Sequence, residues 1–216
     1  MTQRLFPLLL ALVFAACTLA TGTARATDGL VEGQNFVLIP DAQPLVAEPG
    51  KIEVVEVFAY WCHHCNNFEP QVAAWTRKQP ADVAFRYLPA AFTHSDTYAR
   101  AYFAAESLGA LARTHGATYR AIHAEQSLPQ RGASVQEFAT FYAGHALEHA
   151  RFDAAMRAAA TDARMDASRA FITAAGVQGT PTIIVNGRYR VIGKTFGDML
   201  RTTDLLVARE RAAAGQ

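Results

Sequence analysis

Hydrophobic residues follow two different periods along this chain, and the change falls near residue 95. Before that point the segment "KIEVVEVFA" (51–59) is β-branched and almost continuously apolar, which predicts a buried central strand. Shorter apolar runs predict strands over 35–39 and 83–88, and helical spacing of large side chains predicts a helix over 66–78. The first part of the chain is therefore predicted to contribute strands and one helix to a sheet.

The pattern after residue 95 is helical and then returns to strands. Between 95 and 175 aromatic side chains recur every three or four positions in an alanine-rich background, which predicts four or five helices. The segment "TPTIIVNGRYRVIG" (180–193) predicts two strands joined by Asn186-Gly187, a strong hairpin signal. A last helix is predicted over 198–213. This order predicts an α/β protein with a block of helices inserted into its sheet.

The N-terminus has the pattern of a secretory signal peptide. Arg4 precedes an apolar stretch over 5–16, and Ala24-Arg25-Ala26 matches a small-x-small cleavage signal. The stretch is too short to cross a bilayer, so cleavage after Ala26 is predicted. An alternative remains open, because the residues before Cys17 loosely resemble a lipoprotein processing site that would acylate this cysteine.

Charge excludes some classes of partner. The chain has 20 basic and 19 acidic residues, and loss of residues 1–26 would remove Arg4 and Arg25 and no acid, leaving 18 against 19 and a net charge of −1. Such a protein attracts neither nucleic acid nor an anionic membrane surface. The sequence shows no flavin or nucleotide motif, so no cofactor is predicted.

The segment "VFAYWCHHCNNFEP" (57–70) contains Cys62 and Cys65, the only cysteines after Cys17. A disulfide between residues three apart closes a very small loop, and small loops add least to stability. The pair is therefore predicted to react rather than to brace the fold. A C-x-x-C beside a β-α-β pattern is typical of a thioredoxin-like redox motif.

Metal binding is the alternative for these cysteines. His145 and His149 are spaced i, i+4 on a predicted helix and could complete a zinc site with Cys62 and Cys65. The two pairs lie about 80 residues apart, whereas the pairs of a zinc module lie about 12–15 apart. We therefore predict no metal.

Taken together, these motifs resemble the periplasmic thiol:disulfide oxidases of the DsbA family. "VVEVFAYWCHHCNNFEP" is similar to that family's strand, CPHC-type motif and active-site helix, and "GVQGTPTIIVNGRYRV" is similar to its proline loop and hairpin. The resemblance implies a thioredoxin fold with an inserted α-helical subdomain. The thioredoxin-like parts would span 27–94 and 176–216, the insertion would span 95–175, and residues 1–26 would be the signal peptide.

The resemblance also implies an activity. The protein would donate a Cys62–Cys65 disulfide to newly secreted proteins with free cysteines in the periplasm, and a quinone-linked membrane oxidase of the DsbB type would reoxidise it. We expect a monomer. A periplasmic reductant of the same fold is the alternative, and a secreted metal-binding module is a more distant one.

The chemistry requires a stabilised thiolate at Cys62. This residue comes at the start of the predicted helix, where unpaired N–H groups and the helix dipole favour negative charge. His63 and His64 add nearby donors, so we expect them to lower the pKa of Cys62 further. A stabilised thiolate stabilises the reduced form and makes the disulfide oxidising. Cys65 is predicted to be the more buried partner.

Four further roles follow from the resemblance. Pro181 would be cis and would face the cysteines, and the backbone of Thr180 would pair with an extended substrate. Glu56 would lie beneath Cys65 as a proton relay or electrostatic tuner, and Arg86 would pair with it. A purely structural ion pair between these two residues is the alternative.

One further acid and two departures from the family pattern complete the comparison. Glu53 lies in the same strand as Glu56 without a family match, and we expect it to be exposed. His63 stands where the best-studied members have proline, and Thr180 stands where several have valine, which leaves the redox potential open.

Overall fold

The computed structural model describes residues 29–215, so the predicted signal peptide and Cys17 lie outside the described residues. This range forms five strands and seven helices in the order that the hydrophobic pattern predicts. The strands are β1 (Phe36–Leu38), β2 (Ile52–Phe58), β3 (Val83–Pro89), β4 (Thr182–Val185) and β5 (Tyr189–Val191). The helices are α1 (His63–Thr76), α2 (Thr97–Ser107), α3 (Leu111–His123), α4 (Val135–Ala143), α5 (His149–Met156), α6 (Ala159–Ala174) and α7 (Phe196–Ala214).

The five strands make one mixed sheet in the order β1-β5-β4-β2-β3. Strand β2 pairs in parallel with β3 and antiparallel with β4, and all seven of its residues are buried. Because both faces of this strand are covered, its sequence lacks the alternation of a half-exposed strand. The predicted central strand is confirmed.

The backbone conformation of the turn between β4 and β5 requires residues such as Asn186 and Gly187. Asn186 and Gly187 both have positive φ, at 50° and 61°, which is the backbone of the turns that join two-residue hairpins. A Cβ at Gly187 would lie 1.9 Å from the carbonyl oxygen of Gln43, so only glycine fits against that neighbouring segment. The predicted hairpin is confirmed.

Helices cover the two faces of the sheet with separate cores. On one face α1 and α7 bury Phe68, Val72 and Leu206 against β2 and β4. On the other face, the inserted helices α2–α6 pack against Val55 and Val57. None of the helices within residues 29–215 has the length and apolar character needed to cross a bilayer. The α/β class and the five inserted helices are as predicted, while the boundaries 95 and 175 stay a prediction.

Helix α1 begins three residues earlier than its hydrophobic spacing predicts. It begins at His63 rather than residue 66, because the side chain of Cys62 accepts a hydrogen bond from the backbone N–H of Cys65 and so caps the first turn. A cysteine is not a usual N-cap residue, and its capping role is not readable from helix propensity.

The predicted single helix through His145 and His149 is wrong. Helix α4 ends before Gly144, Ala146 has a φ of +58°, and His149 opens α5. The two imidazoles therefore flank a break between helices instead of sharing one helix face, which removes the geometry on which the zinc alternative depended.

Candidate active site

The two cysteines occupy the first turn of α1, with different exposure. Cys62 is the N-cap residue in extended conformation, and its own N–H donates to the Ala59 carbonyl oxygen at 3.0 Å. Its Sγ accepts the N–H of Cys65 at 3.4 Å. Cys62 is 7% exposed and Cys65 is fully buried, as predicted. An attacking thiol can therefore reach the first sulfur but not the second.

The environment separates the pKa values of the two thiols. The pKa of Cys62 is lowered to about 5, first by a hydrogen bond from the side chain of Cys65 and then by the Thr180 side chain and the N–H groups of Cys65 and His64. Burial opposes this shift. The pKa of Cys65 is raised, first by burial and then by its neighbour Cys62. In the reduced protein the negative charge therefore resides on Cys62 and the proton on Cys65.

The proline loop faces the pair from the opposite side. The Thr180–Pro181 peptide bond is cis, which confirms the prediction for Pro181. Cys62 Sγ lies 3.3 Å from the carbonyl oxygen of Thr180, across 118 residues of sequence. Backbone groups of this loop thus border the reactive sulfur.

His63 and His64 lie exposed at the start of α1. Their rings are 4.0 Å apart between centroids. The backbone N–H of His64 is among the causes of the lowered pKa of Cys62. An effect of the imidazoles themselves on that thiol stays a prediction.

Glu56 is buried on the face of the sheet that carries the cysteines. Its side chain is almost completely inaccessible, and among the described residues its Oε2 has no hydrogen-bond partner. Its pKa is raised well above the usual range, first by burial and then by the negative charges of Glu69 and Cys62. This environment favours the protonated carboxyl group.

The predicted pairing of Arg86 with Glu56 is wrong. Arg86 instead forms an ion pair with Glu48 and lies 3.4 Å from Glu53 through its Nε. The register of β2 and β3 places Arg86 opposite Val55 and places Glu56 opposite Tyr87. Neighbouring residues of a strand project to opposite faces, so Arg86 and Glu56 lie on different sides of the sheet.

The expectation that Glu53 is exposed is also wrong. Its side chain is 3% exposed, and its two carboxylate oxygens accept the backbone N–H groups of Leu45 and Val46, each at 2.8 Å. Burial raises its pKa, and these two hydrogen bonds oppose the shift. Glu53 fixes the segment before β2 onto the sheet.

The inserted helices hold the loop that leads to Cys62, which sequence reasoning missed. His123 Nε2 lies 2.7 Å from the carbonyl oxygen of Tyr60, and Gln130 Nε2 donates to the carbonyl oxygen of Trp61 at 3.2 Å. The Trp61 indole donates to Asp96 at 3.4 Å. These partners are 35 to 69 residues away in sequence, and no local spacing reveals them.

A buried polar cluster joins α1, β3 and α3 behind the cysteines, and it was also missed. The Tyr60 hydroxyl lies 2.9 Å from His115 Nδ1, and Tyr87 donates to Glu69 Oε2 at 2.9 Å. His115 Nε2 lies 3.4 Å from the same oxygen, at ion-pair distance but outside hydrogen-bond geometry. One signal was available: Glu69 follows Cys65 by four residues, which is the spacing of one helix face.

An open cleft of about 320 Å³ lies beside the reactive cysteine, between its preceding residue and the insertion. It is lined by Trp61, residues 95–98 and residues 130–132. Nowhere in residues 29–215 do three or more histidine, cysteine, aspartate or glutamate side chains form a group that could hold a metal.

Comparisons with known proteins agree with this geometry. A family model described as thioredoxin matches residues 47–204. The chain is 37% identical over 197 residues to the thiol:disulfide interchange protein DsbA of Pseudomonas aeruginosa, covering 89% of this chain and 92% of that protein. The crystal structure of the oxidoreductase DsbA from Xylella fastidiosa superposes with a TM-score of 0.82 at 45% identity, covering 85% of this chain and 98% of that one. The crystal structure of Pseudomonas aeruginosa DsbA superposes with a TM-score of 0.80 at 35% identity, covering 88% of this chain and 99% of that one.

Proposed function

The chain belongs to the DsbA family of thiol:disulfide interchange proteins, and from this premise we propose that Cys62 and Cys65 carry out its thiol:disulfide exchange as an oxidase. The enzyme acts on proteins that have free cysteines. Its Cys62–Cys65 disulfide accepts two electrons from a pair of substrate thiols, which leave joined as a disulfide.

The exchange has two steps. A substrate thiolate attacks Cys62 Sγ, the Cys62–Cys65 bond breaks, and its electron pair passes to Cys65 Sγ, which takes up a proton. A second substrate thiolate then attacks the substrate sulfur of the mixed disulfide, and Cys62 leaves as a thiolate. Cys62 is the attacked atom because it is the accessible sulfur of the pair.

The single observation that carries this proposal is the unequal environment of the two sulfurs. Cys62, with its pKa lowered to about 5, is a good leaving group in the second step, whereas the raised pKa of Cys65 keeps that sulfur protonated. A stabilised thiolate stabilises the reduced enzyme and makes the disulfide a strong oxidant. This direction favours an oxidase over a reductant of the same fold.

Substrate binding is assigned to the backbone beside Cys62. The carbonyl oxygen of Thr180, 3.3 Å from Cys62 Sγ, is positioned to pair with the backbone of an extended chain, with Pro181 completing the loop. Pairing of this kind recognises backbone and not sequence, which suits an enzyme with many substrates. The cleft beside Trp61 supplies further apolar surface on the other side of the sulfur.

The remaining assignments complete the cycle. One disulfide supports one turnover, so the enzyme needs a reoxidant, and we assign this role to a quinone-linked membrane oxidase of the DsbB type. Its cysteine-containing loop would bind beside Thr180 and Pro181, where substrates bind. We further propose that residues 1–26 are a cleaved signal peptide that directs the protein to the periplasm, and that the protein acts there as a monomer.

The test is oxidation of a reduced, unfolded protein that contains cysteines. The oxidised wild-type protein should form substrate disulfides stoichiometrically, and Cys62→Ser should abolish this activity. Cys65→Ser should instead accumulate mixed disulfides through Cys62, visible as a mass increase that dithiothreitol removes. Failure of Cys65→Ser to capture substrate would overturn the assignment of the two cysteines.

A further inference from the structure

The buried cluster behind the cysteines is anchored on the insertion. His115, on α3, is 8% exposed and contacts Tyr60 on one side and Glu69 on the other. Burial raises the pKa of Tyr60 well above its usual range, so its hydroxyl keeps its proton. We assign this proton to the hydrogen bond with Nδ1, 2.9 Å away. The ring N–H is then on Nε2, which faces the Glu69 carboxylate.

Glu69 is held on the helix face that carries Cys65. It lies one turn after Cys65 on α1, and side chains four apart on a helix share a face. Tyr87 from β3 and His115 from α3 approach the same oxygen, Oε2, at 2.9 and 3.4 Å. A glutamate that is still partly accessible to solvent is thus hydrogen-bonded by Tyr87 and lies within ion-pair distance of His115.

The Glu69 carboxylate acts on Glu56 by raising its pKa. Glu56 Oε2 is buried and unpartnered in the part of the chain that the structure describes. The negative charge of Glu69 is the largest electrostatic effect on it after burial. The position of the Glu69 side chain therefore influences whether Glu56 holds a proton.

We propose that His115 is a positioning residue for the disulfide exchange: it holds the Glu69 carboxylate beside the buried cysteine and so keeps Glu56 ready to supply the proton that Cys65 takes up. This inference rests on the proposed function. It gives the inserted helices a part in the chemistry, beyond binding substrates.

The proton balance is closed. When a substrate thiolate attacks Cys62, the Cys62–Cys65 bond breaks and its electron pair passes to Cys65 Sγ. Cys65 then takes the proton of the Glu56 carboxyl group. Glu56 is then reprotonated by one of the two protons that the substrate thiols release, and the other proton enters solvent. A repulsive charge at Glu69 keeps Glu56 a strong enough base to recover its proton.

Other titratable groups that face these residues stay neutral through the cycle. Tyr87 from β3, Tyr102 from α2 and Tyr119 from α3 all face Glu56 and His115. Burial raises the pKa of each of the three hydroxyl groups. The charges that change near Glu56 during the cycle are therefore those of the two cysteines.

The experiment measures the reverse proton transfer. Glutathione is attached to Cys62 as a mixed disulfide, and its release by Cys65 is followed from pH 4 to pH 9 in wild-type protein and in His115→Phe. Release requires Glu56 to accept the Cys65 proton, so the rate should rise with pH and reach a plateau. In His115→Phe the midpoint should move to lower pH, and the plateau should fall by about threefold, since a less repelled Glu56 is a weaker base.

Three further variants isolate the mechanism. Glu69→Gln should shift the midpoint in the same direction as His115→Phe. In a Glu56→Gln background, adding His115→Phe should slow release no further, because coupled residues are not additive. His123→Gln, on the same helix and in contact with the Tyr60 carbonyl oxygen, is the matched control and should leave the midpoint unchanged.

Two outcomes would overturn the inference: a midpoint that stays or rises in His115→Phe, or a full threefold effect that persists without Glu56. Should His115→Phe fail to fold by circular dichroism, His115→Gln takes its place, since its amide can reach only one of the two partners and should give a smaller shift in the same direction. Wild-type protein that forms no mixed disulfide would defeat the proposed function itself, whereas normal exchange with unaffected variants would defeat only the role of His115.

Discussion

Two buried glutamates three residues apart on β2 show how one strand can serve two purposes. Glu53 projects to the face that holds the segment before β2, where two backbone N–H groups donate to its carboxylate and Arg86 Nε lies 3.4 Å away. Glu56 projects to the face of the cysteines, where its Oε2 has no hydrogen-bond partner among residues 29–215. The sequence presents both as acids in an apolar strand. Burial raises the pKa of both, but only at Glu53 do backbone hydrogen bonds oppose the shift.

Both side chains are almost inaccessible to solvent, and they differ in hydrogen bonding: Glu53 accepts two backbone N–H groups, whereas Glu56 Oε2 accepts none within the described part of the chain. A buried polar group that is fully hydrogen-bonded contributes to stability, whereas one left unpaired lowers it. Proteins retain unpaired buried acids mainly where the perturbed pKa serves a function. We therefore expect substitution of Glu53 to change stability without changing the redox chemistry, and substitution of Glu56 to change the redox chemistry.

The largest effect should come from Glu53→Ala. The substitution leaves the backbone N–H groups of Leu45 and Val46 without their acceptor and removes the carboxylate beside Arg86. We expect the free energy of unfolding of the oxidised protein to fall by about 3 kcal/mol. Urea titration measures this loss. The redox equilibrium with glutathione should not change, because Glu53 faces away from the cysteines. A loss below about 1 kcal/mol would mean that Glu53 is no better satisfied than Glu56.

Reduction itself should stabilise the protein by a smaller amount. The pKa of Cys62 is lowered to about 5 in the folded state, so its contribution is fully present above the unfolded pKa and is lost as pH falls through about 5. Allowing for solvent screening, the reduced form should be more stable than the oxidised form by about 2 kcal/mol at pH 7.

Urea midpoints of both redox forms between pH 4 and pH 9 test this prediction. The difference should grow with pH. The reduced wild-type protein should likewise gain stability with pH relative to Cys62→Ser, which has no thiolate at position 62. Equal midpoints at pH 7 would exclude a strong oxidase.

The sequence anticipated the parts of this molecule that depend on local patterns. The buried run of β2, the Asn186-Gly187 turn and the cysteine pair are each determined by residues adjacent in sequence. The partner of Arg86 was misjudged because it depends on the register of β2 and β3, which decides the face to which each side chain projects. His115 and Glu69 were missed because they meet only through the packing of α3 on α1.

Glu56→Gln should raise the free energy of unfolding, whereas Glu53→Ala should lower it. The folded pKa of Glu56 is raised, so its contribution is present below the unfolded pKa and is lost as pH rises through the folded pKa. An amide cannot ionise, and the oxidised variant should be more stable than wild type by about 1 kcal/mol at high pH. Urea titration at pH 5 and pH 9 measures the difference, which should be near zero at the lower pH. A loss of stability at pH 9 would mean that Glu56 is satisfied after all.

The smallest effect should come from Arg86→Gln. Arg86 is partly exposed and Glu53 keeps its two backbone hydrogen bonds, so we expect a loss of about 0.5–1 kcal/mol. The pH dependence of glutathione release should match wild type, because Arg86 is on the face away from Glu56. A shifted midpoint would restore Arg86 as a partner of that acid.

The contact between Cys62 and Thr180 spans 118 residues, and this has a consequence for the order of events during synthesis. A chain that emerges N-terminus first exposes both thiols long before the loop that borders them exists. During that interval Cys62 lacks the contribution that Thr180 makes to its acidity. Cys62 therefore reaches its full acidity only after the segment that carries Thr180 has been made and has folded against the cysteines.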